Sequence, residues 1–235
     1  MNTLVNVKTD IIEIFSSIQG EGIYMGERHL FIRFSNCNLN CVYCDEVNKK
    51  TQYLNLDDLV ERVLLLEAEE GPHSFISLTG GEPLCHDDFV EVLCEELKRR
   101  GMRILLETNG TLSTELARII KYVDSVAMDI KLSSVWEVND CYERHRKFLE
   151  VMSQHDGYIK ITISHDVIEE EFMMYVDLIA RYNDAIPVIL QPLVHTAHPM
   201  DDTLTNVMTS LQQMSRHTLK HVRILPRIQT LLNVK

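Results

Sequence analysis

The sequence predicts an α/β fold, a partial (β/α)6 TIM-like barrel, and three observations predict it. Short apolar, β-branched runs alternate with longer stretches of helical amphipathic spacing. That alternation implies right-handed βαβ units and a parallel sheet. Six such units fit 235 residues but are too few for a closed eight-fold barrel. The residues of unusual chemistry fall in loops after strands, where such sheets carry their sites. One domain spanning residues 1–235 is long enough to bury a sizeable core.

The elements follow in order. Ile11–Phe15 is the first apolar run. Leu30–Phe34 is the second, and the helical stretch Leu56–Glu70 comes after it. Ser74–Leu78 precedes the helix Asp87–Arg100, and Arg103–Glu107 precedes Ser113–Tyr122. Ser125–Met128 leads to Asn139–Gln154, and Tyr158–Ile163 to Glu169–Tyr182. Pro187–Leu190 and Asp201–His217 close the series. The loops expected to hold chemistry are Ser35–Asp45, Thr79–Pro83, Thr108–Thr111, Asp129–Ser134, Ser164–Asp166 and Gln191–His198.

A net charge of −12 argues against a general nucleic-acid-binding surface. No apolar run approaches a membrane span, and the N-terminus lacks a signal-peptide layout. The expected location is the cytoplasm, where clustered cysteines are more often metal-binding or catalytic than bridged. Cys85, Cys94 and Cys141 are scattered and are expected to be small buried hydrophobes.

The strongest chemical signal is Cys37-Asn38-Leu39-Asn40-Cys41-Val42-Tyr43-Cys44, with spacing C-x3-C-x2-C. Cubane iron–sulfur clusters are normally held by four thiolates. Three would leave one iron open, and an open coordination position is where a metal site does chemistry. A zinc site completed by a histidine is the alternative, although zinc modules usually show two separated ligand pairs. The second signal is Thr79-Gly80-Gly81-Glu82-Pro83, where paired glycines allow close backbone approach and the glutamate can accept from an ammonium group. A tight turn capping a helix is the plain alternative. Glu107-Thr108-Asn109-Gly110 offers a carboxylate and an amide for ribose hydroxyls, or an ordinary turn. Met128-Asp129-Ile130-Lys131 offers a lysine for an anion, or a buried Asp–Lys pair. His195 and His198 read as loop polar residues or as substrate contacts.

The cysteine spacing together with G-G-E-P resembles the radical S-adenosylmethionine (SAM) superfamily. Phe15-Ser16-Ser17-Ile18-Gln19-Gly20-Glu21-Gly22 and Phe31-Ile32-Arg33-Phe34 resemble one of its families, the 7-carboxy-7-deazaguanine synthases. Met128–Ser134 and Gln191-Pro192 extend that likeness. The resemblance implies a [4Fe–4S] cluster on Cys37, Cys41 and Cys44, with SAM on its open iron. It implies SAM contacts from Tyr43 (packing on adenine), Gly80, Gly81, Glu82, Glu107, Asn109, Asp129, Lys131 and Gln191. The implied reaction converts 6-carboxy-5,6,7,8-tetrahydropterin to 7-carboxy-7-deazaguanine by hydrogen abstraction at C6, ring contraction and loss of ammonia. SAM is returned, and the product serves queuosine and other 7-deazapurines. Main-chain groups of Ile18, Gln19 and Gly20, with Glu21 as acceptor, would read the pterin edge. Arg33 would fork onto the substrate carboxylate, and Thr79 would face the substrate. A homodimer and a flavodoxin or ferredoxin donor are implied partners.

Two departures from the family pattern stand out. A threonine or serine commonly follows the Cys-Asp pair and helps bind Mg2+; here Glu46 follows Cys44-Asp45, and its oxygens suit Mg2+. Many members end in a Pro-Gln-x-His-Lys type segment, whereas this chain has Pro226-Arg227-Ile228-Gln229-Thr230. A related radical SAM enzyme on another substrate, such as a glycyl-radical-enzyme activase, is the alternative function. A cluster-bearing sensor is the non-enzymatic one.

Overall fold

The computed structural model describes residues 7–44, 49–194 and 200–232, apart from the side chains of residues 230 and 231. Asp45, Glu46, His195 and His198 lie outside the described residues.

Among the described residues, nine strands form one sheet in the order β3-β1-β2-β4-β5-β6-β7-β8-β9. They are β1 (Lys8–Ile18), β2 (Arg28–Phe34), β3 (Gln52–Asn55), β4 (Phe75–Gly80), β5 (Ile104–Thr108), β6 (Ser125–Ile130), β7 (Gly157–Ile163), β8 (Val188–Pro192) and β9 (Val222–Ile224). From β2 to β9 the pairs are parallel, and β3 and β9 are edges, so the barrel is open. The helices are α1 (Leu56–Glu70), α2 (Asp87–Arg99), α3 (Ser113–Ile119), α4 (Ser133–Trp136), α5 (Tyr142–Met152), α6 (Glu169–Asn183), α7 (Asp202–Ser215) and α8 (Gln229–Leu232).

The six expected βα units are all present, beginning at β2. The first run is different: β1 pairs antiparallel with both β2 and β3. Its connection to β2 is too short for a crossover, and antiparallel strands are what a short connection joins. Gln19 N–H donates to Glu27 O at 2.8 Å and Gly26 N–H to Gln19 O at 2.8 Å, closing that turn. Gly22 has φ +67, and a Cβ there would collide with the Tyr158 ring, so only glycine fits. Two short edge strands, β3 and β9, were not expected from the sequence. Asn139–Gln154 yields helix only from Tyr142, and the α-helix within Ser113–Tyr122 ends at Ile119 in a 3-10 turn.

Helix boundaries follow local chemistry. The Asn55 side chain accepts from Asp58 N–H and caps α1; Asp201 accepts from Leu204 N–H and caps α7. In α2, Phe89, Val90, Leu93, Cys94 and Leu97 form one buried stripe at helical spacing. Such stripes pack on the outer face of the sheet, where Leu30, Ile32, Leu78, Leu106 and Ile161 are fully buried.

The concave face has its own pattern. Phe75, Leu105, Ala127, Tyr158 and Ile189 form one apolar layer across the strands. Side chains alternate with period two along a strand. The residues two positions on share that face: Ser77 on β4, Glu107 on β5, Asp129 on β6, Lys160 on β7 and Gln191 on β8. Each strand thus turns from apolar filler to polar group as it nears its C-terminal end. This alternation places the site.

Candidate active site

A cavity of about 720 Å3 opens at the C-terminal ends of the strands. Its rim carries Cys37, Cys41 and Cys44, and its floor carries Gln19, Glu21, Glu107 and Lys160. The volume is in the range of ordinary small-molecule sites.

The rim is built from three loops locked together. The loop after β2 holds the cysteines. Gly81 N–H donates to Phe34 O at 3.0 Å and Glu82 N–H to Asn36 O at 2.8 Å, fastening the G-G-E-P loop to it. A Cβ on Gly81 would overlap the Asn36 carbonyl. The paired glycines therefore permit an approach between two loops, and Gly80 and Gly81 also line the cavity. Glu82 is fully buried and turned inward. Its carboxylate accepts from Asn109 N–H (2.7 Å), Thr108 Oγ1 (2.8 Å) and Leu84 N–H (3.1 Å). Burial pushes it up to about 7 against those bonds. Here the carboxylate binds the third loop; it is not presented to the cavity as an ammonium acceptor.

Asn109, expected near ribose hydroxyls, points its amide nitrogen at Cys37 Sγ (3.7 Å) and Asn38 Oδ1 (2.8 Å). The surrounding protein raises the Cys37 thiol and pushes Cys41 up to about 11, with the Lys131 charge opposing at Cys41. Metal binding at these thiols must therefore displace protons. Among the described residues no three His, Cys, Asp or Glu gather tightly enough for a single ion. A cubane spaces its thiolates more widely than one ion does. Cys94 and Cys141 are buried as expected, but Cys85 is exposed; its thiol accepts from the Asn38 backbone and feels the Cys37 charge. A thiol distant from Cys37 in sequence is thus its spatial neighbour.

Tyr43 meets Trp136 edge-on at 6.5 Å between centroids, and Lys131 Nζ lies 3.8 Å from the centre of the Trp136 ring. Lys131 also pairs with Asp129 at 2.9 Å. Asp129 Oδ1, Gln191 Oε1 and Trp136 Nε1 are buried without hydrogen-bond partners among the described residues. Buried polar atoms are ordinarily satisfied. Orphan acceptors and a donor facing a cavity rimmed by thiols fit a polar cofactor seated beside a cluster.

The floor departs from expectation. Gln19's main chain closes the β1–β2 turn, the Gly20 carbonyl accepts from Ile228 N–H at 3.0 Å, and Ile18 pairs with Arg28 off the cavity wall. Side chains face the cavity instead. Gln19 Nε2 donates to Glu107 Oε1 at 2.9 Å, and Thr79 Oγ1 to Glu107 Oε2 at 3.3 Å. Glu107, expected on a ribose, is thus bonded to the side chains of Gln19 and Thr79 on the cavity floor. Burial and the Glu21 charge raise its carboxyl. Glu21 is itself pushed up by burial, but Lys160 at 2.5 Å and Arg227 at 2.7 Å outweigh that and hold it below the usual range. Arg33 lies beside Glu13 at 3.5 Å and over the Phe15 ring.

Sequence reasoning did not find Lys160, Trp136 or Glu13. Lys160 did leave a signal, as a lone charge inside an apolar strand at an inward position. Trp136 is the chain's single tryptophan, a few residues past the Asp129–Lys131 pair.

The Radical SAM superfamily model matches residues 31–152, which span β2 to the end of α5. A 7-carboxy-7-deazaguanine synthase of Geobacter sulfurreducens is 33% identical, covering 93% of this chain and 94% of its own length. The chain belongs to the 7-carboxy-7-deazaguanine synthase family of radical SAM enzymes. A second relative of that name, from Methanopyrus kandleri, is 31% identical over 95% of this chain and 93% of its own. Among solved structures, QueE from Escherichia coli superposes with a TM-score of 0.61 at 20% identity, covering 92% and 93% of the two chains. SuiB from Streptococcus suis bound to S-adenosylmethionine superposes at 0.53, with 18% identity, 85% of this chain and 46% of its own. At those identities the two structures speak for the fold alone. Family membership brings a [4Fe–4S] cluster and SAM as cofactors. Among the described residues no helix is long and apolar enough to cross a membrane.

Proposed function

We propose that this chain converts 6-carboxy-5,6,7,8-tetrahydropterin to 7-carboxy-7-deazaguanine, with ring contraction and release of ammonia. The observation that carries the reading is the cavity's two tiers, thiols at the rim above a floor of paired acid and amide groups. When bound, the cluster and SAM supply the 5′-deoxyadenosyl radical that abstracts hydrogen.

The chain's own residues do the rest. Cys37, Cys41 and Cys44 hold the cluster, with the Asn109 amide directed at Cys37. Backbone groups of Gly80 and Gly81, with Tyr43, Asp129, Lys131 and Gln191, hold SAM; the orphan oxygens of Asp129 and Gln191 favour this. Glu21, kept ionised, accepts from the pterin's exocyclic amine. Arg33 forks onto the substrate carboxylate. Glu107, raised and in contact with Gln19 and Thr79, is placed to hold a proton that the rearranging ring gives up or takes back. Mg2+ belongs to this reading through Glu46. So do a single domain, a homodimer and a flavodoxin or ferredoxin donor in the cytoplasm.

The test is anaerobic turnover of reconstituted, dithionite-reduced protein with SAM and 6-carboxytetrahydropterin, with and without Mg2+, read by mass spectrometry. Formation of 7-carboxy-7-deazaguanine is expected. 5′-Deoxyadenosine without deazaguanine would remove the substrate and leave the radical chemistry.

A further inference from the structure

Three charges, each mostly shielded from solvent, meet on the cavity floor in an arrangement that no single binding role explains. Lys160 Nζ lies 2.5 Å from Glu21 Oε2 and 3.1 Å from Asp129 Oδ2. Among the described ion pairs, Lys131 meets Asp129 but not Glu21, and Arg227 meets Glu21 but not Asp129. Among the described residues, Lys160 alone pairs with both acids. The acids come from different parts of the fold. Asp129 is its register partner on β6, whereas Glu21 sits on the turn that closes β1 against β2.

We propose that Lys160 is a positioning residue for both ligands at once, a shared counter-ion that keeps Glu21 ready for the substrate and Asp129 ready for SAM. The inference rests on the assignment of Glu21 to the pterin and Asp129 to SAM made above. Its physical basis is the cost of burying a carboxylate without a cation. Groups facing Glu21 are Lys160 from β7, Arg227 from the C-terminal segment, Asp129 from β6 and Glu107 from β5. Removing Lys160 leaves Arg227 as the one cation paired with Glu21 among the described residues, while two further acids, Asp129 and Glu107, still face that carboxylate. Without Lys160, burial and the neighbouring acids weigh more against the Glu21 charge, so the carboxyl takes up a proton at higher pH than in the wild type and then ceases to accept from an amine at that oxygen. Asp129 keeps Lys131 but loses the second cation that fixes Oδ2, leaving its orphan Oδ1 less well aimed.

The proposal predicts a pH signature that loss of packing does not. Equilibrium binding of 6-carboxytetrahydropterin and of SAM is measured anaerobically on cluster-loaded protein between pH 6.5 and 8.5. SAM binding is followed through emission of Trp136, and pterin binding by calorimetry. Wild type should bind the pterin with little pH dependence. Lys160→Met should bind it more weakly, with the loss relative to wild type growing on the order of tenfold from pH 8.5 to 6.5. Lys160→Arg should restore most of the affinity and flatten the profile. SAM affinity of Lys160→Met should fall severalfold. If the methionine variant is too unstable to assay, the double variant Lys160→Met/Glu21→Gln removes the exposed charge; it should bind SAM weakly and the pterin without pH dependence. Wild-type pterin affinity and a flat profile in Lys160→Met would overturn the inference. If wild-type protein itself ignores the pterin, the substrate assignment fails instead, and the SAM arm decides: unchanged SAM affinity in Lys160→Met sinks the inference there too.

Discussion

At the scale of single residues, several polar groups serve the site by holding its walls. His145 is the clearest. Its ring is fully buried on α5, with Nε2 2.9 Å from the Asn109 carbonyl oxygen and Nδ1 3.0 Å from the Tyr175 hydroxyl. Asn109 in turn faces Cys37. Burial brings the His145 pKa down to about 4, so the folded ring stays neutral where the unfolded one is protonated. The ring's contribution to stability is therefore full above the unfolded value of 6.5 and is lost as pH falls towards 4. At the lower end the loss is roughly 3 kcal/mol. His145→Phe should remove that share of the acid limb. At neutral pH it should cost about 2 kcal/mol, because it strips partners from a buried carbonyl and hydroxyl. Denaturant melts of both proteins at several pH values between 4 and 7.5 decide this. Parallel acid limbs would show that the ring is not the group titrating.

At the scale of elements, the rim depends on two loops meeting where no side chain fits. Asn36 adopts φ +56, a left-handed conformation asparagine tolerates better than most residues, and its carbonyl accepts from Glu82 N–H. Gly81 must lack a Cβ for that carbonyl to approach. Gly81→Ala should push the cysteine loop away from the G-G-E-P loop. The expected result is less than half the wild-type iron per chain after reconstitution and a stability loss of about 2–3 kcal/mol. Gly26→Ala is the matched control. Gly26 also has positive φ (+92), but a Cβ there meets nothing within 4 Å. Strain alone should cost about 1 kcal/mol and leave iron loading intact. Iron content equal in the two variants would mean that the loop contact does not hold the cysteines.

At the scale of the whole molecule, what the sequence revealed and what it hid divide along physical lines. The βα alternation was legible because helical stripes and apolar strands repeat at fixed periods, and α1 spans the expected Leu56–Glu70. The strand-end rule located the cysteines, Gly80, Glu107, Asp129 and Gln191. It failed for Gln19 and Glu21, because β1 runs antiparallel and its turn enters from the other end of β2. Periodicity does not report strand direction. It also does not report which partner an inward carboxylate meets, so the hydrogen bonds of Glu82 to Asn109 and of Glu107 to Gln19 were not legible before the loops were seen in contact.

The same division sets a last expectation. The core that closes the outer face is built from residues such as Leu59, Leu93, Phe148 and Phe172, each fully shielded from solvent. The three motif cysteines are exposed or half-exposed at the rim and add little to it. Stability should therefore come from the helix–sheet layer, and the cluster should bind a scaffold that is already folded. Replacing Cys37, Cys41 and Cys44 together by serine should abolish iron binding. The metal-free variant should nevertheless melt cooperatively within a few degrees of the metal-free wild type, since exposed substitutions typically cost under about 0.5 kcal/mol each. Calorimetry of both apoproteins under anaerobic conditions reads this directly. A broad or strongly lowered transition in the variant would mean that the thiols pack as part of the fold. The rim would then have to form with the core and not upon it.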